Sequence, residues 1–161
     1  MKKITTFLWF DKEAEEAAKF YVSVFKNSKI LTISRYNEET AKQSGMPKDS
    51  VMVISFELEG QQFSALNGRP MFKFNESISL AINCKDQDEV DYYWEKLTYD
   101  GQESMCGWLK DKYGLSWQVV PAGLGELLSG KEPEKSNRAA HALMQMRKID
   151  INVMRAAYEG K

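Results

Sequence analysis

The sequence predicts an α+β chain in which one strand–helix–strands pattern runs twice and a helical tail follows. Three observations point there. A strand, an amphipathic helix and further strands occur from Ile4 and again from Ser77, roughly 70 residues apart. Each copy carries aromatics late in its helix, Phe20-Tyr21 in the first and Tyr92-Tyr93-Trp94 in the second. In addition, Gly60-Gln61-Gln62-Phe63-Ser64 is mirrored by Gly114-Leu115-Ser116-Trp117-Gln118. In both, Gly opens a strand, an aromatic takes one face, and a polar residue follows on the other. The pattern sets modules at 1–70 and 71–122, together one domain over 1–122, and a helical extension at 123–161.

The elements follow from local pattern. Ile4 to Phe10 is β-branched and aromatic, a strand. Asp11 is a candidate N-cap for a helix over Lys12 to Phe25, with Ala14, Ala17, Ala18, Tyr21, Val24 and Phe25 on one face. Asn27 stops it, and Lys29 to Tyr36 is the next strand. Asn37 to Asp49 is polar, contains Gly45 and Pro47, and reads as a long loop, either a lid or a mobile surface segment. Ser50 to Glu59 alternates as a strand, Gly60-Gln61 turns, and Gln62 to Asn67 returns. Met71 to Glu76 connects the halves.

Ser77 to Cys84 is a strand again, and Asp86 caps a helix running to about Tyr99. Strands follow over Glu103 to Leu109 and Leu115 to Val120, joined by the turn Lys110-Asp111-Lys112-Tyr113-Gly114. That turn has an Asp to bond its own backbone and a Gly to supply positive φ. Pro121 ends the ladder because it has no N–H. Beyond it, Glu132 to Ser136 reads as a charged linker. Asn137 to Tyr158 reads as one helix, or as two shorter ones broken at Asp150-Ile151-Asn152. Its Met-rich face either docks on the sheet or meets a partner chain.

The totals exclude several functions. With 161 residues, 43% hydrophobic and 28% charged, the chain can bury one good core. Twenty-two basic residues against 23 acidic ones leave net charge -1, so nothing is in excess to neutralise nucleic-acid phosphates. No apolar run approaches the ~20 residues that cross a bilayer, and no signal-peptide pattern opens the chain, so no membrane and a cytoplasmic location are expected. Cys84 and Cys106 make no disulfide framework, and neither has a partner at zinc spacing. No His or run of bases adjoins Cys106 to activate it as a nucleophile.

The two tandem βαβββ modules resemble the vicinal oxygen chelate superfamily, which includes glyoxalase I, bleomycin-resistance proteins and extradiol dioxygenases. More specifically, the chain resembles its PhnB-like, 3-demethylubiquinone-9 3-methyltransferase-like branch. The resemblance is carried by Ile4-Thr5-Thr6-Phe7-Leu8-Trp9-Phe10-Asp11 with Ala14, Ala17-Ala18 and Phe20-Tyr21, by Phe72 to Ser79, by Cys106 to Asp111 with Gly114, Trp117-Gln118 and Pro121, and by Ala142 to Met146 with Lys148-Ile149-Asp150. It implies curled mixed sheets around a cleft that takes a small molecule, and a homodimer.

Metal-using members of that superfamily draw one ligand from the first and last strand of each half, usually His, Gln or Glu. Carried over, those places hold Thr6, Ser64, Ser79 and Gln118. Three hydroxyls and an amide do not offset the cost of dehydrating a transition-metal dication, so no metal and no cofactor are expected. The expected ligand-binding residues are Thr6, Trp9, Ser64, Asn67, Ser79, Cys106, Trp108 and Gln118, with Tyr36, Phe63 and Trp117 near them. Such walls suit a flat, weakly polar organic ligand. The methyltransferase label implies S-adenosylmethionine, but no glycine-rich strand-to-helix turn followed by an acid is present. The alternative is a metal-dependent lyase, isomerase or dioxygenase.

Overall fold

The computed structural model describes residues 3–161. The chain divides between Lys73 and Phe74 into two compact units, each with its own four-stranded mixed sheet.

The first unit runs β1 (Thr6–Phe10), α1 (Ala14–Val24), β2 (Lys29–Arg35), α2 (Glu38–Ser44), β3 (Val51–Leu58) and β4 (Gln61–Asn67). The strands lie in the order β1-β4-β3-β2, β1 parallel to β4 and the rest antiparallel. Ala14, Ala17 and Ala18 carry α1 close to the sheet, where Tyr21 packs on Phe56 at 6.2 Å and Phe56 on Phe63 at 5.5 Å. The helix opens at Ala14, later than expected, and not on Asp11. Its first free N–H donates to the Asn67 side chain at 2.8 Å, so β4 provides the cap. The β3–β4 turn is Glu59–Gly60, both at positive φ, as a two-residue hairpin requires.

A further expectation fails in this unit. Residues 38–44, read as loop, form α2. Asn37 and Thr40 make a reciprocal capping box, and Gly45 closes the helix at φ 69°. The helix presents a single buried residue, Ala41, so it lacks the apolar period that a sequence reading relies on.

The second unit repeats the plan as β5 (Leu80–Cys84), α3 (Gln87–Thr98), β6 (Gln102–Glu103), β7 (Trp108–Lys110) and β8 (Ser116–Pro121), in the order β5-β8-β7-β6 with β5 parallel to β8. Asp86 caps α3 through the Glu89 N–H at 3.0 Å. The strand expected from Ser77 begins at Leu80, because Asn75 bonds the Ser77 N–H at 2.9 Å and turns the chain first. The helices α4 (Leu124–Leu128), α5 (Pro133–Leu143) and α6 (Ile151–Glu159) follow. The tail is thus broken where Asp150 caps α6, and Pro133 is the first residue of α5 rather than part of a linker. Ala139, Ile149, Ile151 and Met154 form a small separate core. Gln87 ties this tail to α3, donating to the Ile149 carbonyl and accepting from the Ile151 N–H.

Candidate functional site

In the second unit the site begins with Asp111. It is buried, and its carboxylate accepts from the Tyr113 N–H at 2.9 Å, the Leu115 N–H at 3.1 Å and the Trp117 indole N–H at 2.8 Å. Gly114 at φ 84° completes the turn. Trp117 and Val119 therefore face α3, and alternation turns Gln118 to the opposite face. Gln118 lies directly across from Trp108 on β7 and beside Ala81 on β5. Its amide donates to the Ser79 hydroxyl at 2.8 Å. That bond leaves the Gln118 carbonyl oxygen as an acceptor and the Ser79 proton as a donor, beside a half-buried indole.

Trp108 also lines a cavity of about 190 Å³ together with Lys110, Ser116, Glu76, Glu103 and Ser104. Lys110 pairs with Glu76 at its wall, and the hydrogen bond from Lys110 holds the Glu76 carboxyl below its usual range. Ser116 is fully buried, its hydroxyl directed at the Asn75 carbonyl at 3.5 Å.

In the first unit the register places Phe7 beside Ser64 and Trp9 beside Leu66 on the sheet face away from α1. Ser64 shares a 3.0 Å hydrogen bond with Ser55. Trp9 donates its indole N–H to the Arg69 carbonyl at 2.8 Å and meets Phe72 edge-on at 5.0 Å. Its ring covers Gly68 so closely that a Cβ there would stand 2.2 Å from the indole.

The expected residues thus separate. Ser79, Gln118 and Trp108 come together. Ser64 and Trp9 share a face of the first sheet. Thr6 is in register with Phe63 on the α1 side, and Phe7 takes the place expected for it. Asn67, Tyr36, Phe63 and Trp117 are buried on the helix sides of their sheets. Asn67 is engaged by the Ala14 N–H and the Val51 carbonyl, and Tyr36 donates to the Asn67 carbonyl at 2.5 Å. Cys106 points at the tail, its thiol 3.5 Å from the Leu143 carbonyl. Phe7, Ser55 and the Lys110–Glu76 pair were not anticipated. The alternation Thr5-Phe7-Trp9 is the signal that would have found Phe7.

Among the described residues, no three His, Cys, Asp or Glu side chains converge as metal ligands. Ser64 in the first unit, and Ser79 and Gln118 in the second, are neutral donors, a poor match for a divalent transition metal. The strand-to-helix turns into α1, α2 and α3 hold no glycine; the turn into α4 holds Gly123, with Gly125 after it, but that helix is only five residues long. Burial, reinforced by the Glu89 and Asp86 carboxylates, pushes the Cys84 thiol up to about 12.

Comparison with known proteins decides the family. The sequence description of the 3-demethylubiquinone-9 3-methyltransferase family matches residues 2–120. This chain belongs to that PhnB-like family. Its relatives include the PhnB protein of Bacillus cereus, whose solved structure is 38% identical over 75% of this chain and all of that one, with a TM-score of 0.67. Two more distant structures share the PhnB-like fold. They are protein PA1353 of Pseudomonas aeruginosa (18% identity, 75% and 98% coverage, TM-score 0.62) and the fosfomycin resistance protein FosX of Listeria monocytogenes (16%, 80% and 97%, 0.56). Among curated proteins none matches.

Proposed function

We propose that this PhnB-like protein binds a small, flat organic molecule through its own side chains, without a metal. The observation that carries the reading is the Gln118–Ser79 hydrogen bond beside Trp108, next to the 190 Å³ cavity. A ring stacks on the indole while the Gln118 oxygen and Ser79 hydroxyl bond an adjacent donor and acceptor. The cavity admits a ring-sized group rather than a whole dinucleotide. On the first sheet, the Trp9–Phe7 face and the Ser55–Ser64 pair offer the same chemistry, aromatic surface with neutral hydroxyls. The family's name implies methyl transfer, but among the described residues no glycine-rich strand-to-helix turn leads into a helix longer than α4 to cradle S-adenosylmethionine.

The test is a thermal-shift screen of a metabolite and antibiotic library, with and without EDTA, alongside elemental analysis of the purified protein. Stabilising hits that survive EDTA support the reading. Stoichiometric zinc, nickel, manganese or iron, with hits that vanish in EDTA, favour the metal-dependent lyase, isomerase or dioxygenase instead. A cytoplasmic homodimer is part of the proposal. Met144 and Val153 are exposed on the tail, and no helix among the described residues is long and apolar enough to cross a membrane. Light scattering reads the dimer directly.

A further inference from the structure

The face that carries Gln118 also carries a charge. In the antiparallel β7–β8 pair, Trp108 lies opposite Gln118 and Lys110 opposite Ser116. Residues two apart on a strand share a face, so these four project together from the side of the sheet away from α3. Gln102 on β6 lies opposite Lys110 on the same side. Among the described residues lining the cavity of about 190 Å³, Lys110 is the only base. It stands two residues along β7 from the indole of Trp108, roughly 7 Å away.

Lys110 is rooted in a strand, whereas its partner Glu76 sits in the turn before β5. The Glu76 side chain is 63% exposed against 32% for Lys110, so the acid can swing into water while the base stays at the cavity wall. The other acid bordering the cavity, Glu103, is engaged elsewhere. It accepts from the Trp94 indole N–H at 2.9 Å and pairs with Arg147 at 3.7 Å. One anion position is therefore exchangeable, the one that Glu76 fills.

We propose that the molecule bound on this face is an aromatic or heteroaromatic carboxylate, whose acid group takes the place of Glu76 on Lys110 while its ring lies on Trp108. The inference rests on the organic-ligand reading above and adds the charge of the ligand. A ring with a short acid arm spans the roughly 7 Å between the two side chains. An ammonium–carboxylate hydrogen bond is stronger than a neutral one, and the released Glu76 regains its water. A neutral ring forgoes that bond, and a cationic ring meets Lys110 as a like charge.

The experiment titrates the full chain with benzoate, benzamide and benzylamine. It follows the Trp108 indole N–H, assigned with Trp108→Phe, in proton–nitrogen correlation spectra. Benzoate is expected to bind about tenfold more tightly than benzamide, and benzylamine most weakly. Lys110→Met should remove the preference and leave benzamide unchanged, Lys110→Arg should keep it, and Glu76→Gln should raise the affinity for benzoate alone. Circular dichroism confirms that each variant folds. Benzamide or benzylamine matching benzoate, or a preference that survives Lys110→Met, would overturn this inference and leave the binding face standing. If none of the three moves the indole signal, the organic-ligand reading fails and this inference falls with it.

Discussion

Asp111→Asn isolates what holds the binding face in shape. The substitution keeps the volume and one oxygen, so the Tyr113 and Leu115 N–H groups keep an acceptor. The other oxygen, 2.8 Å from the Trp117 indole nitrogen, becomes an NH₂, and two donors then face each other in a buried site. A hydrogen bond to a charged group contributes about 1.5–3 kcal/mol, and an unsatisfied buried donor costs about 1–3 kcal/mol. With the two remaining bonds weakened by loss of charge, the expected cost is about 2–4 kcal/mol. At about 2–4 °C per kcal/mol for a chain of this length, the melting temperature falls by roughly 5–15 °C. Urea unfolding followed by far-UV circular dichroism measures the free energy, and Trp fluorescence follows the indole. Stability within about 0.5 kcal/mol of wild type would refute the claim that Asp111 organises the hairpin.

Other substitutions sort the remaining residues. Asn67→Ala leaves the Ala14 N–H and the Val51 carbonyl without partners and should cost about 2–5 kcal/mol in urea unfolding, with no change in affinity for a screening hit. Gly68→Ala drives a methyl into the Trp9 indole; a loss of about 1–3 kcal/mol and a shifted Trp emission are expected, and unchanged emission would argue against the packing. Iodoacetamide should label Cys106 alone in the native protein and Cys84 only on unfolding, read by intact mass, because burial keeps the Cys84 thiol protonated. Hydrogen bonds from Lys148 and Gln87 lower the Asp91 carboxyl. The folded value lies below the unfolded one, so the stabilisation is present above about pH 4 and lost as pH falls through the depressed value. Asp91→Asn should therefore flatten the acid limb of stability against pH.

Much of this architecture is legible in the residues. The helical period of Ala14, Ala17, Ala18 and Tyr21 and the alternation through Trp117-Gln118-Val119 fix α1 and the faces of β8. Ser79 and Gln118 were reachable because the resemblance places them on the first and last strands of the second half, which lie side by side. What stayed hidden depends on tertiary contact. An Asn on a distant strand caps α1, so Asp11 looked like the cap. A capping box without an apolar face made α2 look like loop. Thr6 was one residue out, because a strand's facing is set by its partner's register, Phe7 against Ser64, and not by its own composition. The direction of Cys106 followed from a positive φ of 58° that its sequence gave no reason to expect.

Binding of the strongest screening hit to wild-type protein and to Gln118→Leu, titrated by Trp fluorescence in EDTA, bears most directly on the central claim. The account predicts saturable binding to the chelator-treated wild type and at least a tenfold loss in Gln118→Leu, with the melting temperature nearly unchanged. Equal affinity in the two proteins, or binding that returns only when a divalent metal is restored, would contradict it.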